Sequence, residues 1–144
     1  MKKVRYIAAL LICLATAAFA QTPGYIDSAF HYKYPQVTRD KEECSLVGCT
    51  YVFRYQGGKK VAYFDENGNW LRTESYMDGQ YIPDTVKASI SNSRYNGWEI
   101  GDARLIETPS TKVYVIGLDD KTDITGLGGY HYLYCTSSGN CWDK

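Results

Sequence analysis

Residues 63–70 read YFDENGNW, and residues 134–141 read YCTSSGNC. Each octapeptide opens on a tyrosine and carries Gly-Asn at its sixth and seventh positions. Glycine and asparagine reach positive φ at little cost, so such a stretch between alternating residues is typical of a β-hairpin turn. The second octapeptide begins 71 residues after the first. Two equivalent hairpins are therefore predicted, one in each copy of a repeated unit.

Helical segments stand at matching places before the two hairpins. Residues 30–35, FHYKYP, end a first helix that starts at Thr22-Pro23. Residues 91–96, SNSRYN, end a second helix that starts at Pro83-Asp84. Proline near the start of a helix costs no hydrogen bond, which supports both starts. Alternation of apolar and polar residues predicts strands at 51–55, 61–64, 70–77, 112–117 and 130–135.

These elements predict an α+β fold built from two tandem repeats, each a helix followed by four strands. The repeats span about 24–78 and about 82–142, and the longer second copy fits the Gly- and Asp-rich stretch 117–129. We expect one antiparallel sheet of eight strands with both helices on one face. A single domain over 21–144 would hold both repeats.

The N-terminus has the features of a cleavable secretory signal over Met1–Ala20. Three basic residues precede an uncharged stretch at 6–19, and Ala18-Phe19-Ala20 offers small residues at the cleavage site. The alternative is a membrane anchor, but the uncharged stretch is shorter than the roughly 20 residues that a spanning helix needs. The sequence thus predicts a periplasmic or secreted protein with no stable membrane insertion after cleavage.

Removal of the signal leaves four cysteines, an even number that predicts two disulfides in an exported chain. Four cysteines allow three pairings, and the short spacings favour two bridges, each across the mouth of a tight hairpin: Cys44–Cys49 and Cys135–Cys141. A zinc site is the alternative, but close Cys-x-x-Cys pairs are missing from the sequence.

The charge of the mature chain bears on its partners. The signal holds three of the 16 basic residues and none of the 16 acidic ones, which leaves a net charge of −3 with histidine neutral. No basic block remains, so neither nucleic acid nor an anionic membrane is an expected partner.

The sequence contains no recognisable set of catalytic residues, metal ligands or cofactor-binding residues. His31 and His131 have no ligand-type spacing, and no Gly-x-Ser-x-Gly nucleophile elbow is present. Residues 65–69 resemble part of a calcium loop but lack its closing glutamate, so we interpret them as a turn. A polar loop carries the acids Asp119, Asp120 and Asp123; a solvated loop is the default interpretation, and contact with a partner is the alternative.

Aromatic residues are abundant, and strand parity assigns some of them to a face. On the strand at 70–77, charge at alternate positions predicts that the side with Arg72 points away from the helices. Two helices cover one face only, so the other face would be open. The residues expected on it are Arg54, Phe64, Trp70, Arg72, Glu74, Tyr76, Tyr114 and Leu133. Aromatic and arginine side chains dominate protein interfaces, although a merely solvated face is an equal alternative.

Several short motifs resemble the PepSY-like domain family of secreted Bacteroidota proteins. The matching residues are Lys33-Tyr34-Pro35, Tyr63-Phe64-Asp65, Gly68, Trp70, Thr73-Glu74 and Ile82-Pro83. The resemblance covers nearly all of residues 24–142 and implies a fold like that of the beta-lactamase-inhibitor proteins. The four cysteines and Thr136, where the first hairpin has Asp65, depart from the family pattern. The family supplies no catalytic residues to transfer.

We therefore expect an exported, non-enzymatic binding domain whose partner is another exported protein that it inhibits or regulates. A small-ligand or glycan-binding module is the alternative, because tryptophan and tyrosine also serve as stacking platforms. A small hydrolase with an unrecognised site is the second alternative. The inhibitory role rests on analogy of fold alone.

Overall fold

In the part of the chain that the structure describes, eight antiparallel strands lie side by side in chain order, and two α-helices pack on one face of the sheet. The computed structural model describes residues 23–122, 124–125 and 129–143. The predicted signal at Met1–Ala20 lies outside these residues, as does Asp123 of the acidic loop. The expected fold class is confirmed: α+β, with one helix and four strands in each of two repeats.

The first repeat contains α1 (Gly24–Lys33), β1 (Arg39–Ser45), β2 (Gly48–Tyr55), β3 (Gly58–Asp65) and β4 (Trp70–Met77). A short 3-10 helix, Gly79–Tyr81, precedes the second repeat, which contains α2 (Asp84–Ser91), β5 (Glu99–Glu107), β6 (Lys112–Asp119), β7 (Tyr130–Cys135) and β8 (Cys141–Asp143). The alternation of apolar and polar residues does not predict strands β1 and β5. The sequence of β1 is RDKEECS, and the register of β5 against β6 shifts between Ile100 and Ala103.

Each helix buries two side chains against its own half of the sheet. Ile26 and Phe30 of α1 lie in a core with the aromatic residues of β2 and β3, and the Phe30 ring is 4.3 Å from that of Tyr51. Val86 and Ile90 of α2 occupy the corresponding core over β5–β7. Each such buried side chain contributes about 1.5–3 kcal/mol relative to exposure. Helices of ten and eight residues are stable here because they pack on the sheet.

The second helix is shorter than its sequence suggests. It ends at Ser91, and turns carry the chain through residues 92–97. Tyr95 is nevertheless buried against the core of the second repeat, at 5% exposure. Its side chain reaches the core from a turn, so the spacing of apolar residues alone overestimates the length of the helix.

The two hairpins predicted from the octapeptides share one backbone pattern. In the β3–β4 turn, the Asp65 N–H donates to the Asn69 carbonyl at 3.0 Å and the Gly68 N–H donates to the Asp65 carbonyl at 3.1 Å. The two matching bonds in the β7–β8 turn measure 2.9 and 3.0 Å. Gly68 and Gly139 have φ angles of 80° and 88°, as the turn chemistry requires. The interpretation of residues 65–69 as a turn is confirmed.

The four cysteines pair as their spacing favours. Cys44 bonds to Cys49 and Cys135 to Cys141, with Cα–Cα distances of 4.2 and 4.1 Å. Both pairs are also direct cross-strand neighbours in the sheet register. The disulfide prediction is confirmed, and the short edge strand β8 is linked covalently to β7.

Candidate binding face

One face of the sheet carries both helices; no helix among the described residues covers the opposite face, which we call the open face. A single row of cross-strand neighbours crosses it from β4 to β8. Its members are Tyr76, Arg104, Val115, Tyr134 and Trp142. Strands hold these residues about 4.7–4.9 Å apart in the hydrogen-bonding direction. Val115 is buried, at 1% exposure, so the other four members form the accessible part of the row.

An ion-pair network lies beside this row. The Glu74 carboxylate accepts a hydrogen bond from Arg72 Nε at 3.1 Å, and its second oxygen lies 3.7 Å from Arg104 Nη1. The Glu74 side chain is only 11% exposed, whereas those of Arg72 and Arg104 are 43% and 32% exposed. Burial lowers the pKa of Arg104, but the Glu74 carboxylate and the Tyr76 hydroxyl more than offset this. The Arg104 guanidinium therefore stays charged at the surface.

Aromatic rings support the cations of the open face. The Arg72 guanidinium lies 3.8 Å from the centre of the Tyr63 ring, a stacked cation–π arrangement. Lys59 Nζ lies 5.4 Å from the centre of the Tyr76 ring. At the far end of the row, the rings of Tyr134 and Trp142 stack with centroids 6.3 Å apart. Stacking restricts the side-chain motion that binding would otherwise have to freeze.

A tyrosine–carboxylate pair closes the margin of the open face near β5. The Tyr130 hydroxyl donates to the Asp102 carboxylate, and this hydrogen bond is the main reason that the pKa of Tyr130 lies above its usual value. The two groups meet where Gly117 has no side chain, since a Cβ there would lie 2.1 Å from both atoms. Gly117 is thus the residue that makes room for this contact.

Four of the eight residues predicted on the open face lie on the helix-covered face instead. Phe64 and Leu133 are buried beneath α1 and α2, at 3% and 4% exposure. Trp70 and Tyr114 pack against the same two cores. Trp70 also donates from Nε1 to Thr73 Oγ1 at 2.9 Å and lies under Lys33 of α1, whose Nζ is 3.4 Å from the ring centre.

A bulge in β4 explains the error. Arg72 pairs with Tyr63, but Trp70 pairs with Phe64, so Trp70 and Leu71 both lie opposite Phe64. The extra residue breaks the alternation of the strand, and Trp70 and Arg72 point to opposite faces. The sequence prediction placed Trp70 on the same face as Arg72, because the two are separated by one residue. Residues that were assigned to a face through Trp70, such as its partner Phe64, were therefore placed on the wrong face.

The other four predicted residues, Arg54, Arg72, Glu74 and Tyr76, do lie on the open face. Sequence reasoning missed Tyr63, Arg104, Tyr130, Tyr132, Tyr134 and Trp142, which the register places beside them. A signal for three of these was available. In YHYLY at 130–134, the single leucine marks the covered side, and the three tyrosines therefore belong to the open side.

The acidic loop residues that the structure describes are engaged within the loop itself. Asp119 forms an ion pair with Lys121. Asp120 accepts hydrogen bonds from the backbone N–H of Thr122 at 2.9 Å and from its hydroxyl at 2.6 Å. These contacts are those of a self-supporting surface turn. Partner contact by the loop stays a prediction.

The described residues also bear on metal and membrane sites. Among residues 23–122, 124–125 and 129–143, no three His, Cys, Asp or Glu side chains are placed to hold a metal ion together. His131 instead lies 2.7 Å from the Asp143 carboxylate and stacks on the Tyr95 ring. Within the same ranges, neither helix has the length and apolar character to cross a bilayer.

Solved structures share this architecture. A BLIP-like protein from Bacteroides fragilis is 25% identical, with a TM-score of 0.76 over 88% of each chain. A DUF2874 family protein from Bacteroides uniformis is 15% identical, with a TM-score of 0.73 over 84% of this chain and 86% of that one. A Bacteroides eggerthii structure described as "putative periplasmic proteins" is 12% identical, with a TM-score of 0.71 over 85% and 89%.

Sequence comparison gives the family. No curated protein matches the chain with significance. The model of the family described as "Putative beta-lactamase-inhibitor-like, PepSY-like" matches residues 50–127, which is more than half of the chain. That match includes the strands that carry the Arg72–Glu74–Arg104 network and confirms the resemblance seen in the motifs. The chain belongs to the PepSY-like family.

Proposed function

We propose that this protein is an exported, non-enzymatic binding domain that uses its open face to hold, and thereby restrain, another exported protein. The observation that carries the proposal is the row of Tyr76, Arg104, Tyr134 and Trp142 across the open face. Tyrosine, tryptophan and arginine are the residues that contribute most binding energy at protein interfaces.

The exposure of these residues supports a docking role. Tyr76, Tyr132 and Trp142 are 41%, 42% and 44% exposed, so each ring has a supported side and an accessible side. Rings held in this way lose little conformational entropy on binding. A sheet also presents Tyr76 and Tyr132 without rearrangement, because the backbone of a central strand is hydrogen-bonded on both sides. Trp142 lies on the edge strand β8, which the Cys135–Cys141 disulfide links to β7.

Likeness to known proteins supports the inhibitory part of the proposal. The family is described as beta-lactamase-inhibitor-like, and the Bacteroides fragilis structure is of a BLIP-like protein. The two disulfides fit an oxidising compartment, in line with cleavage of Met1–Ala20 and a periplasmic or secreted location. Residues 21–144 would then act as one domain.

The test is capture of the partner from the envelope fraction of the source organism. Immobilised residues 21–144 are compared with the variants Tyr132→Ala and Trp142→Ala. The matched control is Tyr32→Ala, which removes a 92% exposed tyrosine from α1, on the other side of the sheet. We expect a protein retained by the wild type and the control and lost by both open-face variants. Equal retention by all four would overturn the proposal.

A second candidate, binding of a small ligand or glycan, is favoured by one cleft. It has a volume of about 690 Å³ and lies between the β2–β3 turn and the start of β5, with Lys59, Tyr76, Tyr81 and Asp102 in its wall. Ligand sites usually measure about 300–1,000 Å³. Thermal stabilisation by members of a sugar panel, lost on Tyr81→Ala, would support this candidate; no stabilisation by any sugar would reject it.

A further inference from the structure

The row on the open face continues beyond Tyr76 with cations. Lys59 lies next to Tyr76, and Arg54 is the cross-strand partner of Lys59. One half of the complete row is therefore cationic, and the other half, from Val115 to Trp142, is apolar and aromatic. We call the four residues Arg54, Lys59, Arg72 and Arg104 the cationic patch.

The exposed charge of this patch is positive. Glu74 is its one internal carboxylate, and it faces two arginines that are both more exposed than it is. One negative charge cannot neutralise two positive ones, and the excess points to solvent. Lys59 adds a further cation.

The carboxylates around the patch are occupied by the fold. Asp65 accepts hydrogen bonds from the backbone N–H groups of Asn67 and Asn69 at 2.9 and 2.8 Å. Asp102 is held by Tyr130. Asp40 lies 4.0 Å from Arg54 and offsets part of its charge. These acids keep their charges, but among the described residues none of the three forms an ion pair with Lys59, Arg72 or Arg104; the ion-pair partner of both arginines is Glu74.

From these observations we infer that the partner docks a cluster of aspartate or glutamate side chains on the cationic patch. This inference rests on the proposed function and names the chemistry of the partner at that site. A guanidinium group binds a carboxylate through two parallel N–H donors, and the Arg72 group is already oriented by Tyr63 and Glu74. The aromatic half of the row then packs on the apolar surface beside the acidic cluster.

Protein carboxylates fit this surface better than a polyanionic polymer does. The patch is small, and the mature chain is acidic as a whole, with a net charge of −3. A long run of phosphates would meet Glu99, Asp102 and Asp119 at the margin of the face. A compact acidic cluster can avoid them. Binding of DNA or anionic vesicles is consequently an outcome that the test must separate.

The test measures binding of a short, fluorescein-labelled polyglutamate peptide by anisotropy at low ionic strength, where screening is weak. Arg72→Gln and Arg104→Gln are expected to raise the Kd about tenfold each, as for the loss of one charge-assisted hydrogen bond. Glu74→Gln removes the competing carboxylate and is expected to lower the Kd about threefold. Lys87→Gln, the same charge change on α2, is the matched control and leaves the Kd unchanged.

Lys87→Gln and Arg72→Gln change the net charge by the same amount at different sites, so weakening by Arg72→Gln alone distinguishes docking on the patch from a general effect of charge. Equal weakening by Lys87→Gln and Arg72→Gln, or no tightening with Glu74→Gln, would overturn the inference. So would tighter binding of single-stranded DNA or phosphatidylglycerol vesicles than of polyglutamate. Arg104 is partly buried, so Lys59→Gln, at an exposed site, replaces Arg104→Gln if that variant fails to fold; it is expected to raise the Kd about threefold.

The two proposals fail in different ways. If polyglutamate binding ignores the patch while Trp142→Ala still loses the envelope partner, the acidic-partner inference is wrong and the binding domain stands. If the envelope partner is retained by Trp142→Ala and Arg72→Gln alike, the open face is not the interface, and both proposals are wrong.

Discussion

Asp65 and Thr136 cap the two equivalent hairpins from the same position. Asp65 Oδ1 accepts a hydrogen bond from the backbone N–H of Asn69 at 2.8 Å. Thr136 Oγ1 accepts one from the N–H of Asn140, also four residues ahead, at 3.3 Å. The carboxylate binds additional donors, which hold the pKa of Asp65 below its usual value, led by the Asn69 side chain. The repeats thus keep one turn and differ in how strongly a side chain holds it.

Replacement of this cap gives the first prediction. Asp65→Thr should lower the urea midpoint slightly and Asp65→Ala more, because threonine keeps one acceptor and alanine none. The contribution of the Asp65 charge is present above the unfolded-state pKa and is lost as the pH falls through the lower folded-state pKa. The difference in urea midpoint between the wild type and Asp65→Thr should therefore become smaller as the pH is lowered. A gap that is constant from pH 7 to pH 2 would contradict this account.

The turn glycines give a graded prediction. Gly57, Gly68 and Gly139 all have positive φ, but an added Cβ meets open space at Gly57, ordinary contact at Gly68, and Thr85 O and Ser89 Oγ at 2.8 Å at Gly139. Alanine at positive φ costs about 1 kcal/mol. Gly57→Ala and Gly68→Ala should show that cost, and Gly139→Ala at least twice as much because α2 must shift. Equal free energies of unfolding for all three would show that the β7–β8 turn does not pack on α2.

The features that could be predicted from sequence are those fixed by local chemistry. The octapeptides carry their own turn residues, and Cys44–Cys49 and Cys135–Cys141 are close in sequence, so neither needs knowledge of the whole sheet. The repeat then extends these local units to eight strands. Turn chemistry and the matching of the two copies are therefore enough to predict the eight-stranded sheet.

Face assignment could not be predicted in the same way, because it depends on unbroken alternation. One extra residue at Trp70–Leu71 exchanges the faces, and YFDENGNW contains no mark of that bulge. Charge places Arg72 correctly, yet that inference cannot be carried across the bulge to Trp70. Strand β7 has no register shift, and there Leu133 would have identified the covered face.

Tyr51 gives a prediction of pH dependence. Its side chain is fully buried in the first core, and this burial, with Glu42 and Asp27 nearby, raises its pKa to about 12. Between the unfolded-state pKa of about 10 and this value, the folded chain binds a proton that the unfolded chain releases. The contribution of Tyr51 to the free energy of unfolding is therefore fully present below about pH 10 and is lost as the pH rises. The urea midpoint of Tyr51→Phe should fall less steeply with pH above about pH 10 than that of the wild type. Identical slopes for the two proteins would contradict this explanation.

The final prediction concerns Trp142, which lies in a strand of three residues at the edge of the sheet. Its neighbours anchor it from the helix-covered side. Cys141 is bonded to Cys135, and Asp143 accepts hydrogen bonds from the Tyr95 hydroxyl and pairs with His131 Nε2, both at 2.7 Å. A strand this short makes too few hydrogen bonds of its own to stay paired. The position of Trp142 on the open face therefore depends on groups on the opposite face.

Asp143→Ala should release the end of β8 while the disulfide keeps its start in place. We expect faster amide exchange at Trp142 and weaker capture of the envelope partner, with the exchange of β2 and β3 unchanged. Asp143→Asn keeps the acceptor for Tyr95 but loses the charge opposite Arg94, so its effect should be intermediate. Asp84→Ala, at an exposed carboxylate on α2, is the control. If Asp143→Ala leaves exchange at Trp142 unchanged, the disulfide alone positions the strand, and only its reduction should then weaken capture.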